Sequence, residues 1–311
     1  MKRFIGFQKG VNLGGWLSQC DYSPERLNGF IAEKDFETIA RWGLDHVRLP
    51  IDYNIFVGGI DGFGYLGRAV EWARRYGLNI ILDLHKTWGF SFDAGEAESG
   101  FFSSQAYQEA FCSLWEKIAR RFGDEPDHIA FELLNEVTDK ACMPAWMRIA
   151  EDAVRRIRAF APATAILLGG YWNNSVEAVP DLARPFDENI VYNFHCYDPI
   201  TFTHQHAPWV RHIDVSRDVS YAESGATSAW FENLFAPAIQ KAKIENVPLY
   251  CGEYGVIDCA SPEDALSWFK AIHTVFTSHG IGRAAWSYRR MNFGLSDGRL
   301  DKIREELLQY M

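Results

Sequence analysis

Two carboxylates at the ends of apolar segments are the residues of this sequence best placed to do chemistry. Glu136 ends the stretch 129–136, an apolar run that closes on Asn135 and Glu136, and Glu253 follows a similar run in 248–255. A short apolar run bounded by polar residues is typical of a buried strand in a parallel sheet. Side chains at the carboxyl ends of such strands share one rim in a barrel. Two rim carboxylates from different strands are what hydrolysis of a glycosidic bond requires.

Other predicted strands also end in polar or aromatic side chains. Those at or just beyond the strand ends are Arg48, His85, Asn135, His195, Tyr197 and Trp286. Each has a simpler explanation by itself, as an ion-pair partner, a core residue or, for the two glutamates, a carboxylate at a helix N-terminus. Together with Glu136 and Glu253, they occupy the same end of six strands, which indicates a site instead.

The chemistry assigns different protonation states to the two glutamates. An acid must keep its proton near neutral pH, so we expect burial or a nearby negative charge to raise the pKa of Glu136. The second carboxylate must stay ionised and therefore needs hydrogen-bond donors. Arg48 and the Tyr197 hydroxyl can supply them to Glu253.

The elements that position these residues alternate between strand and helix. Strands are predicted at 10–13, 46–49, 79–85, 129–136, 165–168, 189–195, 248–255 and 282–286. Helices are predicted at 33–42, 66–76, 104–122, 144–160, from about 176, at 230–245, at 262–278 and at the end of the chain. Eight such units in one series predict a (β/α)8 TIM barrel, an α/β fold that spans residues 1–311 as a single domain. An open doubly wound sheet is the alternative, but a glycine-rich phosphate turn after an early strand is missing.

The longest irregular segment is 196–229, after the sixth strand, and a loop of that length usually forms a lid or a binding wall. It contains His204 and His206, which could be a metal pair or polar lid residues; without clustered acidic partners we favour the second and expect no metal or other cofactor. Aromatic rings in the loops could stack on sugars. The candidates are Trp16, Trp88, Phe90, Trp172 and Trp209.

The net charge and the distribution of apolar residues limit the kinds of partner that the protein can bind. A net charge of −10 argues against a nucleic acid or an anionic membrane surface. No apolar run approaches a membrane span, and the basic start lacks the apolar core of a signal peptide. We therefore expect a monomer that is cytoplasmic, or secreted if a signal peptide is missing from the sequence as given. Six cysteines without a CxxC pair are expected to be reduced.

The motifs together resemble glycoside hydrolase family 5, the cellulase family of clan A, and most of all its single-domain endoglucanase C type. The segments that carry the resemblance are 11–16, 46–50, 82–85, 131–136, 193–197, 252–255 and 285–286. Val137 and the run 193–205 carry the likeness to the endoglucanase C type, and Val137 replaces the proline that many members have. The resemblance implies that Glu136 is the acid/base and Glu253 the nucleophile. It also implies that Arg48, His85, Asn135, His195, Tyr197 and Trp286 surround the cleaved sugar. Trp172 and Trp209 are expected to be further substrate contacts because they lie in rim loops.

The resulting expectation is a retaining endo-β-1,4-glucanase that acts on β-glucan chains by double displacement. A β-1,3-glucanase, a mixed-linkage glucanase or a β-mannanase on the same scaffold is the alternative, because loops determine the preference for sugar and linkage. A non-catalytic carbohydrate-binding barrel is a third possibility, but binding alone would not need both carboxylates.

Overall fold

Eight parallel strands close into a barrel in chain order in the computed structural model, which describes residues 1–93 and 98–311. The strands are β1 Lys9–Asn12, β2 His46–Asp52, β3 Asn79–Lys86, β4 Ile129–Glu132, β5 Ile166–Gly169, β6 Ile190–Cys196, β7 Leu249–Tyr254 and β8 Gly282–Ala285. The pairing of β1 with β8 completes the ring. The predicted single-domain (β/α)8 barrel is therefore confirmed.

Helices surround this barrel. The α-helices are α1 Pro24–Gly29, α2 Glu33–Arg41, α3 Gly62–Arg75, α4 Gln105–Phe122, α5 Met143–Arg158, α6 Tyr171–Asn174, α7 Ile200–Thr203, α8 Tyr221–Ser224, α9 Ser228–Glu245, α10 Pro262–His279 and α11 Arg304–Leu308. Short 3-10 helices lie at Tyr53–Phe56, Lys140–Cys142, Val176–Asp181 and Gly298–Leu300.

Side chains on a strand alternate between two apolar layers. Those that point outward pack against the helices in one large core, as Ile80 and Phe131 do. Those that point inward at the amino-terminal end fill the barrel, among them Ile81 and Ala130, and Phe4 packs against this inner cluster. The carboxyl-terminal end of the barrel interior is left for polar side chains.

The structure differs from the sequence prediction mainly where strands end. The strand predicted at 129–136 spans only Ile129–Glu132, so Asn135 and Glu136 lie in the loop that follows β4. A short additional helix, α1, begins at Pro24, and the weakly signalled helix near 176 is the 3-10 helix Val176–Asp181. The segment after β6 is long and mostly irregular as expected, with only the short helices α7 and α8 before α9.

All six cysteines are free thiols, as predicted. Among the helices of residues 1–93 and 98–311, none has the length and apolar character needed to cross a membrane.

Candidate active site

A cleft of about 570 Å³ opens at the carboxyl-terminal rim of the barrel. The predicted residues that line it are His85, Glu136, Tyr197, Trp209, Glu253 and Trp286. His204, which was expected to be a polar lid residue, also lines it. Further lining comes from side chains that were not selected from the sequence. These are Gln19, Phe92, Asp93, Asn173, Ile200, Val210, Arg211, Met291, Asn292 and Phe293. Arg48, Asn135 and His195 are buried and do not line the open space of the cleft.

The two glutamates face each other across this cleft. One carboxylate oxygen of Glu136, one of Glu253 and a ring nitrogen of His195 all lie within 4.8 Å of one another. Carboxyl groups of retaining glycosidases are about 5–5.5 Å apart, whereas inverting enzymes leave about 6.5–9.5 Å for a water molecule. The measured proximity fits the retaining arrangement.

Glu253 is held by two donors, as predicted. Its Oε1 accepts a hydrogen bond from Arg48 Nη1 at 2.7 Å, and its Oε2 accepts one from the Tyr197 hydroxyl at 2.8 Å. These two charge-assisted or phenolic hydrogen bonds fix the position of the Glu253 carboxyl group.

Arg48 has more partners than the sequence suggested. Its guanidinium is fully buried and makes a bidentate pair with Glu132 at 2.7 and 2.8 Å, in addition to an ion pair with Asp83 at 2.9 Å. It also donates to the side-chain oxygens of Asn12 and Asn135. A buried cation needs such compensation, so this network fixes the guanidinium that orients Glu253.

Glu132 and Asp83 were not selected as site residues from the sequence. They are paired directly in the register of β3 and β4, and Arg48 is paired with Asn12 in the register of β1 and β2. The signal was available: a charged residue within an apolar strand must find a partner. Asn193, also unselected, donates to Glu132 at 2.8 Å.

His85 is oriented by Asp83. Its Nδ1 lies 2.6 Å from Asp83 Oδ2, and its ring stacks on Trp286 with centroids 5.8 Å apart. Burial lowers the pKa of His85 and raises that of Asp83 to about 7. Nε2 of His85 has no hydrogen-bond partner within the described residues. This nitrogen is itself buried, although the His85 side chain lines the cleft.

Glu136 is buried between two nitrogen-bearing side chains. Its Oε1 lies 2.7 Å from His195 Nδ1, and its Oε2 accepts a hydrogen bond from Asn173 Nδ2 at 2.8 Å. Burial raises the pKa of Glu136 to about 7, an effect that the Asn173 contact opposes. Burial also lowers the pKa of His195 to about 4, so the ring is neutral near pH 7. The raised pKa is the one expected for the acid.

A metal ion is a poor fit to this arrangement. Glu136, His195 and Glu253 are, among the described residues, a group whose spacing could hold an ion. However, the Arg48 guanidinium lies 2.7 Å from Glu253, so an ion would be placed beside a fixed positive charge. His204 and His206 do not form a pair either. His204 is buried beside Tyr197, whereas His206 contacts Asp218 at the surface.

The aromatic side chains predicted to stack on sugars lie in different environments. Trp209 lines the cleft and is 45% exposed, whereas Trp172 is 54% exposed beside Asn173 without lining the cleft itself. Trp16 is a core residue that stacks on Trp72, and its indole donates to Leu27. The sequence prediction was wrong for Trp16 and for Phe90, which packs against Phe101, because both side chains are buried. Trp88 is half-buried beside Tyr53 and does not line this cleft.

Fold and site together define a class of protein. A barrel with two close rim carboxylates, one with a raised pKa and the other held by an arginine and a tyrosine, is a glycoside hydrolase. The chain belongs to the cellulase family, glycosyl hydrolase family 5, whose model matches residues 7–292. It is 53% identical over 288 residues to cellodextrinase A of Ruminococcus flavefaciens, covering 91% of this chain and 86% of that protein. It is 34% identical to endoglucanase C of Acetivibrio thermocellus, covering 99% and 98%. The expected family is thereby confirmed.

Solved structures agree on the architecture. Endoglucanase Cel5A of Thermotoga maritima matches with a TM-score of 0.80, covering 97% of each chain at 22% sequence identity. At that identity the likeness supports the fold only.

Proposed function

We propose that this protein hydrolyses internal β-1,4 linkages of glucan chains with retention of anomeric configuration. The observation that carries the proposal is the pair formed by Glu136 and Glu253, with oxygens within 4.8 Å and different hydrogen-bond partners. Both carboxyls are buried. Burial raises the pKa of Glu136 to about 7, whereas Glu253 accepts hydrogen bonds from a guanidinium and a phenol.

The first step forms a covalent intermediate. A carboxylate oxygen of Glu253 attacks the anomeric carbon while the bond from that carbon to the leaving oxygen breaks. The proton of Glu136 passes to the leaving oxygen, so that the departing chain leaves as an alcohol and Glu136 becomes ionised.

The second step releases the sugar. Ionised Glu136 takes a proton from water as the water oxygen bonds to the anomeric carbon, and the ester bond to Glu253 breaks. Arg48 and Tyr197 then receive the restored carboxylate in its starting position. All of the side chains required belong to one chain, so a monomer suffices.

The choice of β-1,4-glucan rests on the relatives. Two of them carry the names cellodextrinase A and endoglucanase C, and this chain matches most of the length of each. The cleft is open to solvent at the rim, which suits binding of a chain at an internal position. A non-catalytic binding barrel is disfavoured because the Arg48 network orients a carboxylate that simple binding would not need.

A reducing-sugar assay on a panel of polysaccharides tests the proposal. Cellulose and carboxymethyl cellulose should be cleaved faster than laminarin, mannan and xylan, with a rapid fall in viscosity and a β-anomeric first product by ¹H NMR. The variant Glu253→Gln serves as the matched inactive control. Faster cleavage of laminarin or mannan would replace the substrate assignment with one of the alternatives, and an α-anomeric first product would overturn the mechanism.

A further inference from the structure

Asn173 contacts the proton donor of the reaction but belongs to neither of the strands that carry the two carboxylates. Its Nδ2 donates to Oε2 of Glu136 at 2.8 Å, and its side chain lines the cleft. The other oxygen of Glu136 is 2.7 Å from His195. Within residues 1–93 and 98–311, Asn173 and His195 are therefore the two side chains within hydrogen-bond distance of the acid.

The backbone around Asn173 has an unusual conformation. Trp172, Asn173 and Asn174 adopt left-handed φ angles of 52°, 59° and 55° in succession. Such angles are unfavourable for residues other than glycine and concentrate at functional sites, although asparagine tolerates them better than most. The surrounding structure must therefore hold this turn in place.

Two backbone contacts fasten the turn to the site. The Asn173 N–H donates to the carbonyl of Val137, the residue after Glu136, at 3.0 Å. Ser175 forms a parallel β-bridge with His195, the other residue that contacts Glu136. Both side chains that contact the acid are thus positioned by one connected piece of backbone.

We infer that Asn173 is a positioning residue that sets the balance between the protonated and ionised forms of Glu136, and hence the balance between the two steps of hydrolysis. This inference rests on the proposed function, since it assigns Glu136 the acid and base roles. A donor to a carboxylate favours its ionised form. Burial acts in the opposite direction and is the larger effect.

Other charged and titratable groups also face Glu136, and they come from several elements. They are Arg48 on β2, His85 and Asp83 on β3, Asp93 after β3, His195 on β6, Tyr197 after β6 and Glu253 on β7. A change at Asn173 leaves all of these in place, so a shift in the titration of Glu136 can be assigned to the lost amide.

The two steps respond in opposite ways to removal of this donor. Without it Glu136 keeps its proton to higher pH, so the first step persists further into the alkaline range. The second step needs ionised Glu136, so it weakens at low pH. A residue with only a structural role would weaken both steps together.

The test uses Asn173→Gly and Asn173→Asp. Glycine adopts the left-handed φ freely, so the first variant removes the donor without backbone strain. Aspartate keeps the shape of the side chain but adds a negative charge, so it should give the larger shift and remains informative if the glycine variant fails to fold. Asn246→Gly is the matched control, because Asn246 also has a left-handed φ of 53° but ends α9, away from the cleft.

Two pH profiles measure the effect. With cellotetraose, the alkaline limb of kcat/KM should move up by about one pH unit in Asn173→Gly, the size expected for one hydrogen bond to a charged group. With 2,4-dinitrophenyl β-cellobioside, whose slow step is the second, the acid limb of kcat should also move up. Asn246→Gly should leave both profiles unchanged.

A titration of Glu136 by ¹³C NMR, with the signal assigned through its loss in Glu136→Gln, gives a readout independent of turnover. If the wild-type protein cleaved no glucan, the proposed function would fail, and this titration would still test the role of Asn173. An unmoved Glu136 titration in both variants would overturn the inference. A downward shift in Asn173→Gly would overturn it as well, because it would mean that the amide faces Glu136 with its oxygen.

Discussion

The leaving group of the substrate should determine whether the protein loses activity at high pH. Burial raises the pKa of Glu136 to about 7. The alkaline limb of kcat/KM reports the acid of the free enzyme, which is the state that the structure describes. With cellotetraose as substrate, kcat/KM should therefore fall about tenfold for each pH unit above 7, and about 100-fold by pH 9.

An acidic leaving group removes this dependence. Dinitrophenolate departs without a proton, so kcat/KM for 2,4-dinitrophenyl β-cellobioside should stay nearly constant between pH 7 and 9. Replacing Glu136 should likewise affect the substrate whose leaving group needs a proton much more than the aryl substrate. Glu136→Gln should lower kcat/KM for cellotetraose by roughly 10²–10⁴-fold and leave the first step with the aryl substrate largely intact.

Stopped-flow release of dinitrophenol measures the first step directly, and a reducing-end assay follows cellotetraose under the same buffers. An alkaline limb of the same position and depth on both substrates would refute the assignment, since it would arise from a group other than the acid. Equal losses on both substrates in Glu136→Gln would refute it too. The control is Asn246→Gly, which should reproduce the wild-type profiles.

Three other measurements test further parts of the site. With azide, Glu136→Ala should regain turnover of the aryl glycoside and yield a β-glycosyl azide. Glu253→Ala should instead yield the α product, because no covalent intermediate forms. If NMR identified the same anomer from both variants, the assigned roles would be wrong. Glu132→Gln breaks a bidentate buried ion pair with Arg48, so it should lower the free energy of unfolding by about 3–5 kcal/mol. For 311 residues this is a fall of about 5–8 °C in Tm, and a calorimetric change below ~1 °C would show that the pair contributes little. Activity should survive chelation, because a proton donor and a nucleophile complete the reaction; loss on treatment with EDTA and recovery with a divalent metal would contradict this.

The order of the strands and the rim residues could be predicted because each barrel strand has the same pattern in the amino-acid sequence. An apolar run followed by a polar side chain marks the point where a strand reaches the rim, as at His85, Glu136 and Glu253. The pattern identified the carboxylate pair and the two donors of Glu253, which the structure places in contact.

The residues behind the rim were harder to recognise. Glu132 and Asp83 lie inside apolar strands, so a reading of the sequence alone places them in the core. Whether they contact a site residue depends on the register of neighbouring strands. Arg48 was selected for one contact, but its other partners required the closed barrel.

Loop side chains were the least predictable part. Trp16 and Trp209 are both tryptophans in predicted loops, so the sequence does not distinguish them. Trp16 packs against Trp72, whereas Trp209 lines the cleft. Asn173 was not selected from the sequence, because nothing local indicates that a left-handed turn brings its amide to Glu136.

The acid and the nucleophile come from opposite halves of the chain. The half that ends with α5 holds Arg48 together with Asp83 and Glu132, so its buried guanidinium is already neutralised there. The other half supplies Glu253 and its own donor Tyr197. A cut within 159–165, between α5 and β5, would give two fragments of four strands each, neither able to cleave a glycoside alone. If each fragment were fused to one of two proteins that bind each other in a cell, hydrolysis of a glycoside would report that interaction.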